Sequence, residues 1–165
     1  MAQLFRDQFE HWINTATITG DTANPTYKRE GTGVESLSIA FNPQTETYKD
    51  ITQRTATTEF QNYQLSSSVS GKRCKPDDPM YDYLYELKAK AISANTQLVE
   101  VNKAKTNGTA GQYLATQYDI LITINEWLGD NVTISYDISY SKPVQGYATV
   151  AGGSITFTAN ESPSY

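Results

Sequence analysis

Cysteine and histidine are nearly absent from this chain, which has one of each, Cys74 and His11, among 165 residues. One cysteine cannot form an intrachain disulfide, so the fold is expected to need none, and a reducing compartment suits it. A nucleophilic triad needs a base, and a zinc site needs clustered Cys and His, but these two residues lie in different segments. We therefore expect neither an enzyme nor a bound metal or other cofactor.

Positive charge is also scarce, because 13 Lys and Arg stand against 18 Asp and Glu, a formal charge of -5. Lys and Arg supply most of the affinity for phosphate, so this balance argues against an ordinary nucleic-acid binder. Long apolar runs are missing too. The first 20 residues include Arg6, Asp7 and Glu10 where a signal peptide would be apolar. We expect no membrane insertion and assembly in the cytoplasm.

The length suits one domain over residues 1–165. Residues 1–33 contain several turn-forming residues and little core material, so they are expected to form an N-terminal arm and loop. Residues 34–165 are expected to form a β core. Its first strand is predicted at residues 34–41, where apolar and small residues alternate until Pro43.

Alternation with period two is clearest at residues 133–140, which predict a strand with one apolar and one polar side. The polar side carries Ser135, Asp137 and Ser139. Such a face can meet water or a polyanion without binding it. Residues 43–62 differ: they are Thr-rich, with too few large apolar residues to pack on their own core, and predict a long excursion, interpreted as a hairpin.

One helix is predicted at residues 79–92, with Asp78 as its N-cap and Pro79 at its first position. An apolar stripe with helical spacing is expected to pack on the sheet: Met80, Leu84 and Leu87. Tyr81 and Tyr85 flank this stripe, and a core-edge position is favoured over a subunit interface. The basic turn before the helix, with Lys72, Arg73 and Lys75, is interpreted as a solvated loop.

Short motifs run in a fixed order through residues 12–159. Among them are Trp12-Ile13-Asn14-Thr15, Pro25-Thr26-Tyr27, Asn42-Pro43-Gln44-Thr45-Glu46-Thr47, Asp78-Pro79-Met80-Tyr81-Asp82-Tyr83-Leu84, Ile134-Ser135-Tyr136-Asp137-Ile138-Ser139-Tyr140 and Pro143-Val144-Gln145-Gly146-Tyr147. In this order and spacing the chain resembles the major tail tube proteins of long-tailed, non-contractile bacteriophages. Residues 96–116 match poorly, and their role stays open.

The resemblance implies a mainly β fold, an antiparallel sandwich or barrel with one flanking α-helix and a long inter-ring loop. It implies hexameric rings stacked helically into a tail tube in the virion, through which DNA passes without specific binding. The implied partners are other copies of the chain, a tape measure protein inside the tube, and tail terminator and distal tail proteins at its ends.

Particular residues receive roles from this resemblance. Four are expected to face the lumen, although an outer, solvated position stays open for Asp137: Asp137, Ser135, Ser139 and Asp119. The inter-ring loop is expected to include Pro43, Thr45, Glu46, Tyr48, Asp50 and Arg54.

Two other functions remain as alternatives. The 12 tyrosines and two tryptophans could stack on sugars, as in a β-sandwich glycan-binding or adhesin module. An enzyme on a β scaffold is the third possibility, which the missing catalytic residues disfavour.

Overall fold

The computed structural model describes residues 3, 4, 6–16, 18, 23–129 and 132–163. In this part of the chain the protein is mainly β with a single α-helix, which confirms the predicted fold class. A 3-10 turn at Arg6–Gln8 precedes the following elements: β1 Phe9–Asn14, β2 Tyr27–Glu30, β3 Pro43–Tyr48, β4 Thr57–Tyr63, β5 Ser66–Arg73, α1 Tyr81–Lys90, β6 Ala94–Thr106, β7 Gln112–Leu128, β8 Thr133–Ala151 and β9 Ser154–Ala159.

The main sheet is antiparallel and has the order β2-β1-β6-β7-β8-β5. The first half of β8 pairs with β5, and its second half pairs with β9 on the same side. The sheet curls until it is nearly closed like a barrel. Strands β3 and β4 form a separate two-stranded sheet.

The N-terminal segment is not an arm outside the core, as its sequence led us to expect. Strand β1 lies between β2 and β6, and its residues Trp12 and Ile13 are both buried. Because both faces of β1 are covered, apolar and polar residues do not alternate along it, so the pattern of a half-buried strand is missing. The expected boundary at residue 33 therefore does not separate an arm from the β core.

The strand predicted at residues 34–41 is also absent. The segment makes one isolated bridge, between Ala40 and Ser66. Leu37 is nevertheless buried, and Val34 and Ile39 pack against the core. The alternation therefore predicted which side chains are buried, but it did not predict strand pairing.

Two apolar clusters lie on opposite sides of the main sheet, since neighbouring residues of one strand, such as Leu98 and Val99, belong to different clusters. The larger cluster lies between the sheet and α1. The smaller one lies inside the curled half of the sheet and consists of Trp12, Tyr27, Val99, Val101, Ala115, Ala148 and Ile155.

A bulge in β8 allows this strand to contribute buried side chains to both clusters. Lys142 has φ 49°, and the register against β7 shifts by one residue there. Before the bulge, Tyr140 belongs to the larger cluster, and after it Ala148 belongs to the smaller one. Gly146 is required beside β9, because a Cβ atom there would lie 2.2 Å from the Thr158 carbonyl oxygen.

Helix α1 is shorter than the predicted 79–92, and Asp78 is not its N-cap. Met80 occupies that position without a side-chain cap, and Ala91 ends the helix with φ 51°. The Asp78 carboxylate instead accepts a hydrogen bond from the Met80 N–H at 3.0 Å. Met80, Leu84 and Leu87 are all buried in the larger cluster, against the sheet.

A buried ion cluster joins β2, β5 and the turn before α1. Lys72, which was interpreted as part of a solvated turn, is 0% exposed and forms ion pairs with Glu30 and Asp78. Its inward position results from a bulge: the register of β5 against β8 shifts between Val69 and Lys72, around Gly71 with φ 65°. Arg73 and Lys75 are exposed, as a solvated turn requires.

Leu84→Ala is expected to lower the free energy of unfolding by about 2–5 kcal/mol, because it leaves a cavity at a fully buried site. Chemical denaturation of the unassembled subunit would measure this. Glu86→Ala, at an exposed position of the same helix, is the control and should change stability by less than about 1 kcal/mol. Equal effects of the two substitutions would contradict the packing of α1 described here.

Lys72→Met is expected to destabilise the subunit by about 3–5 kcal/mol, because it removes the cation that pairs with the buried carboxylates of Glu30 and Asp78. The matched control is Lys75→Met in the turn that follows β5, where the side chain is exposed and the expected change is below about 0.5 kcal/mol. The midpoints of urea unfolding would be measured for both variants. A large decrease for Lys72→Met alone would show that Lys72 is buried and Lys75 is solvated.

Candidate functional site

One side of the sheet carries a mostly polar face across β6, β7, β8 and β5. Directly opposed residues of antiparallel strands share a face, and Asp119 opposes Ser141, Thr123 opposes Asp137, and Ser68 opposes Asp137 from the other side. We call this surface the polar face. It also contains Leu121, which opposes Asn95 and Ser139, and its polar residues are Ser66, Ser68, Asn95, Gln97, Asp119, Thr123, Ser135, Asp137, Ser139 and Ser141. The four residues expected at a lumen are thus brought together on one surface.

Asp137 lies near the middle of the polar face. Its carboxylate accepts hydrogen bonds from the Ser68 hydroxyl at 2.7 Å and from the Asn125 amide at 2.8 Å. Both donors are neutral, so the negative charge of Asp137 is oriented but not cancelled by a cation in the described part of the chain. The side chain of its neighbour Ser135 accepts from the Gly71 N–H at 3.0 Å.

Asp119 lies further along the same face and differs in its partner. Its carboxylate is 3.4 Å from the Lys142 ammonium group, and both side chains are substantially exposed. An exposed ion pair of this kind contributes little stability and is screened by salt. The bulge in β8 therefore also places the Lys142 ammonium group at the edge of the polar face.

Strands β3 and β4 form what we call the exposed hairpin, residues 43–63. Every residue of β3 is exposed, and so is every residue of β4 except Thr57. Four of the expected inter-ring residues lie on β3, namely Pro43, Thr45, Glu46 and Tyr48, and Asp50 and Arg54 lie in the connecting segment. Cross-strand contacts hold it, including Tyr48 to Glu59 at 2.8 Å and Thr47 to Thr58 at 2.9 Å.

Apolar side chains at both ends of the exposed hairpin face solvent. At its base, the rings of Phe41, Phe60 and Tyr63 pack on one another with centroids 4.7–5.5 Å apart, and each ring remains more than half exposed. At its tip, Ile51 is 104% exposed. A hairpin with this much uncovered apolar surface has the character of an interface.

Two edges of the sheet beside the polar face also lack a complete pairing strand. Strand β5 ends the sheet, and beyond it the described chain contributes the bridge between Ala40 and Ser66 and one hydrogen bond from the Arg73 N–H to the Gly33 carbonyl oxygen. On the far side, β6 begins at Ala94, while its pairing with β1 starts at Leu98. Open backbone groups at such edges are ready to pair with another strand.

A second aromatic surface lies beside α1, where Tyr81 and Tyr85 pack at the edge of the larger cluster. Tyr85 is 47% exposed, and the rings of both tyrosines contact Trp127 at centroid distances of 6.4 Å and 5.8 Å. The Lys88 ammonium group lies 4.9 Å from the Trp127 ring centroid, a cation–π contact. These residues cover one edge of the larger cluster.

The buried ion cluster is the strongest electrostatic feature of the interior. Burial raises the pKa of Glu30 above its ordinary value, and the adjacent Lys72 ammonium group opposes that shift. The Tyr136 hydroxyl lies beside Glu30, and burial, with the nearby carboxylate, raises the pKa of Tyr136 well above its usual range. A chain with few basic residues thus places one of them where no solvent reaches.

Sequence reasoning missed this cluster because it assigned Lys72 to a solvated turn and Glu30 to an arm. A signal was present, since an isolated glycine within a strand pattern, here Gly71, indicates a bulge. His11 was also expected in an arm, but it lies in β1 with its Nε2 atom 3.1 Å from Glu100.

Within the described ranges, no group of three or more His, Cys, Asp and Glu is arranged to hold a metal ion. The single helix of these ranges is too short and polar to cross a membrane.

No protein-family model matches the chain, and no curated protein sequence matches it.

Proposed function

We propose that this chain is a structural virion protein that polymerises as hexameric rings, stacked into a bacteriophage tail tube that conducts DNA during ejection. The exposed hairpin is the observation that carries the proposal. An isolated two-stranded hairpin is marginal in water, and this one covers little of its own subunit. A neighbouring ring would supply the missing contact.

Contact between the hairpin of one ring and a different surface of the next ring is head-to-tail. Such heterologous contacts do not close on themselves along the stacking direction, so they generate a filament. Within a ring, the open edges of β5 and β6 would pair between neighbouring subunits. That pairing would satisfy backbone groups which a single subunit leaves unpaired and would extend the sheet around the ring.

The polar face is assigned to the lumen. Its hydroxyl, amide and carboxylate groups offer phosphate no cation except Lys142 at the edge, and that cation is next to Asp119. Because duplex binding depends on neutralising phosphates and releasing their counterions, such a wall lets DNA pass without holding it. Helix α1 would then lie on the outside of the tube, since it covers the opposite side of the sheet.

The implied partners follow from the assembly. A tape measure protein would occupy the lumen before DNA, and tail terminator and distal tail proteins would contact the two ends of the tube. The chain would assemble in the cytoplasm of the bacterial host, function in the virion tail and insert into no membrane itself.

Negative-stain electron microscopy of the purified protein tests the proposal directly. Rings or tubes are expected. A compact monomer at all concentrations, together with binding to a glycan array, would instead favour the glycan-binding module, for which the aromatic surface around Trp127 is the relevant feature.

Deleting residues 48–54 should leave a folded subunit that no longer stacks, because the deletion removes the hairpin tip and none of the core. A matched pair refines the test: Ile51→Ser should weaken stacking, whereas Thr52→Ser, at the neighbouring exposed position, should not. Circular dichroism would verify the fold, and tube length in micrographs would report stacking. Tubes of normal length from the deletion variant would refute the assignment.

Asp137→Lys should permit tubes but slow DNA ejection, most strongly at low salt, because each ring would then present a set of cations to phosphate. Ejection from phage carrying this substitution would be followed at several salt concentrations. Asp77→Lys, at an exposed position of the turn before α1, is the charge-matched control and should leave ejection unchanged. Equal ejection rates for wild type and Asp137→Lys at every salt concentration would contradict a lumenal Asp137.

A further inference from the structure

The buried ion cluster has the composition and geometry of a reactive site. The Lys72 Nζ atom lies 2.5 Å from Glu30 Oε1 and 2.8 Å from Asp78 Oδ2, and all three side chains are 0% exposed. An amine is thus held against two carboxyl groups with solvent excluded. In such surroundings, charged groups lose their hydration and bound water is expelled.

The two carboxyl groups meet the amine differently. Lys72 donates a hydrogen bond to Glu30 Oε1, which also accepts from the Gly31 N–H at 2.9 Å. Asp78 Oδ2 is in contact with the same Nζ atom but forms no hydrogen bond with it or with another group. One oxygen of each carboxyl group, Glu30 Oε2 and Asp78 Oδ2, is thus buried without a hydrogen-bond partner in the described chain, which is costly for a simple buried ion pair.

The other oxygen of Asp78 has the partner that acyl transfer requires. Oδ1 accepts a hydrogen bond from the Met80 backbone N–H at 3.0 Å. A fixed N–H at this position stabilises the negative charge that develops on a carbonyl oxygen when an amine attacks its carbon. In Asp78, Oδ1 is therefore held by the Met80 N–H, and Oδ2 is the oxygen that can leave.

We propose that Lys72 and Asp78 condense within the folded subunit to form an isopeptide bond between Nζ and the Asp78 carboxyl carbon, with Glu30 as the catalytic proton carrier. The reaction needs no oxidant or external reagent. Ammonium and carboxylate give an amide and one water molecule, so atoms and charge balance. The product replaces a buried cation and a buried anion with one neutral group, which removes their desolvation cost.

The proton path follows from the two contacts of the Lys72 Nζ atom, Glu30 Oε1 on one side and Asp78 Oδ2 on the other. The Lys72 ammonium group gives its first proton to Asp78 Oδ2 across their 2.8 Å contact, which leaves a neutral amine hydrogen-bonded to Glu30. The amine then attacks the Asp78 carboxyl carbon, and Oδ1 takes up negative charge facing the Met80 N–H. Glu30 accepts the second proton from the attacking nitrogen and delivers it to Oδ2, which leaves as water when the carbonyl re-forms.

Intact-mass spectrometry of the purified, denatured wild-type chain tests this directly. The expected mass is lower than the sequence mass by one water molecule. Trypsin should then yield residues 55–73, with no cleavage after Lys72, joined to residues 74–88. Residues 55–73 joined to residues 30–49 would identify Glu30 as the acylated group and overturn the assignment to Asp78.

Two variants act as controls. Lys72→Arg keeps the positive charge but removes the amine, so its mass should equal its sequence mass. Glu30→Gln removes the proton carrier and should also remain uncondensed when its circular dichroism matches wild type. A full sequence mass for folded wild-type protein would overturn the proposal, as would loss of water that persists in Lys72→Arg. A folded Glu30→Gln variant that condenses completely would overturn the role of Glu30.

Discussion

The ammonium group of Lys72 is the constraint on which the arrangement of the larger core depends. It connects Glu30 at the end of β2, its own strand β5 and Asp78 in the turn that leads into α1. Glu30 is 42 positions away from Lys72 in the sequence, whereas Asp78 follows Lys72 within the same connection to α1. Because removing one member leaves an uncompensated buried charge, the cluster penalises any arrangement in which β5 or the helix entry shifts.

Two bulges make the arrangement possible, and each changes the side to which the following residues point. In β5 the extra residue near Gly71 turns Lys72 into the core, and in β8 the extra residue at Lys142 moves Ala148 into the smaller cluster. Without the second bulge, the polar side of β8 would continue into the curled half of the sheet. The same side of one sheet can therefore be polar at one end and apolar at the other.

This dependence on bulges explains which features were predictable from sequence. The mainly β class, the position of the helix and the alternation around Asp137 follow from local periodicity, and these features are present in the structure. Strand β1 was not recognised because it is buried on both faces, so apolar and polar residues do not alternate along it. The segment at residues 34–41 shows the converse, since alternation without a pairing strand does not make a ladder. Lys72 was misplaced because the bulge moves the side chains that follow it to the opposite face of the strand. A pattern of strict alternation does not predict such a change.

The apolar interior of the subunit is closed, whereas particular parts of its surface are incomplete. The two apolar clusters are covered by α1 and by the curl of the sheet. By contrast, the exposed hairpin has apolar side chains at base and tip that no described residue covers, and the polar half of the sheet ends in unpaired edges. Most residues of the face between those edges are polar, so apolar burial there contributes little to association. In the proposed tube, contacts between copies would come from the edges and the hairpin, which would leave the polar face free to line the passage.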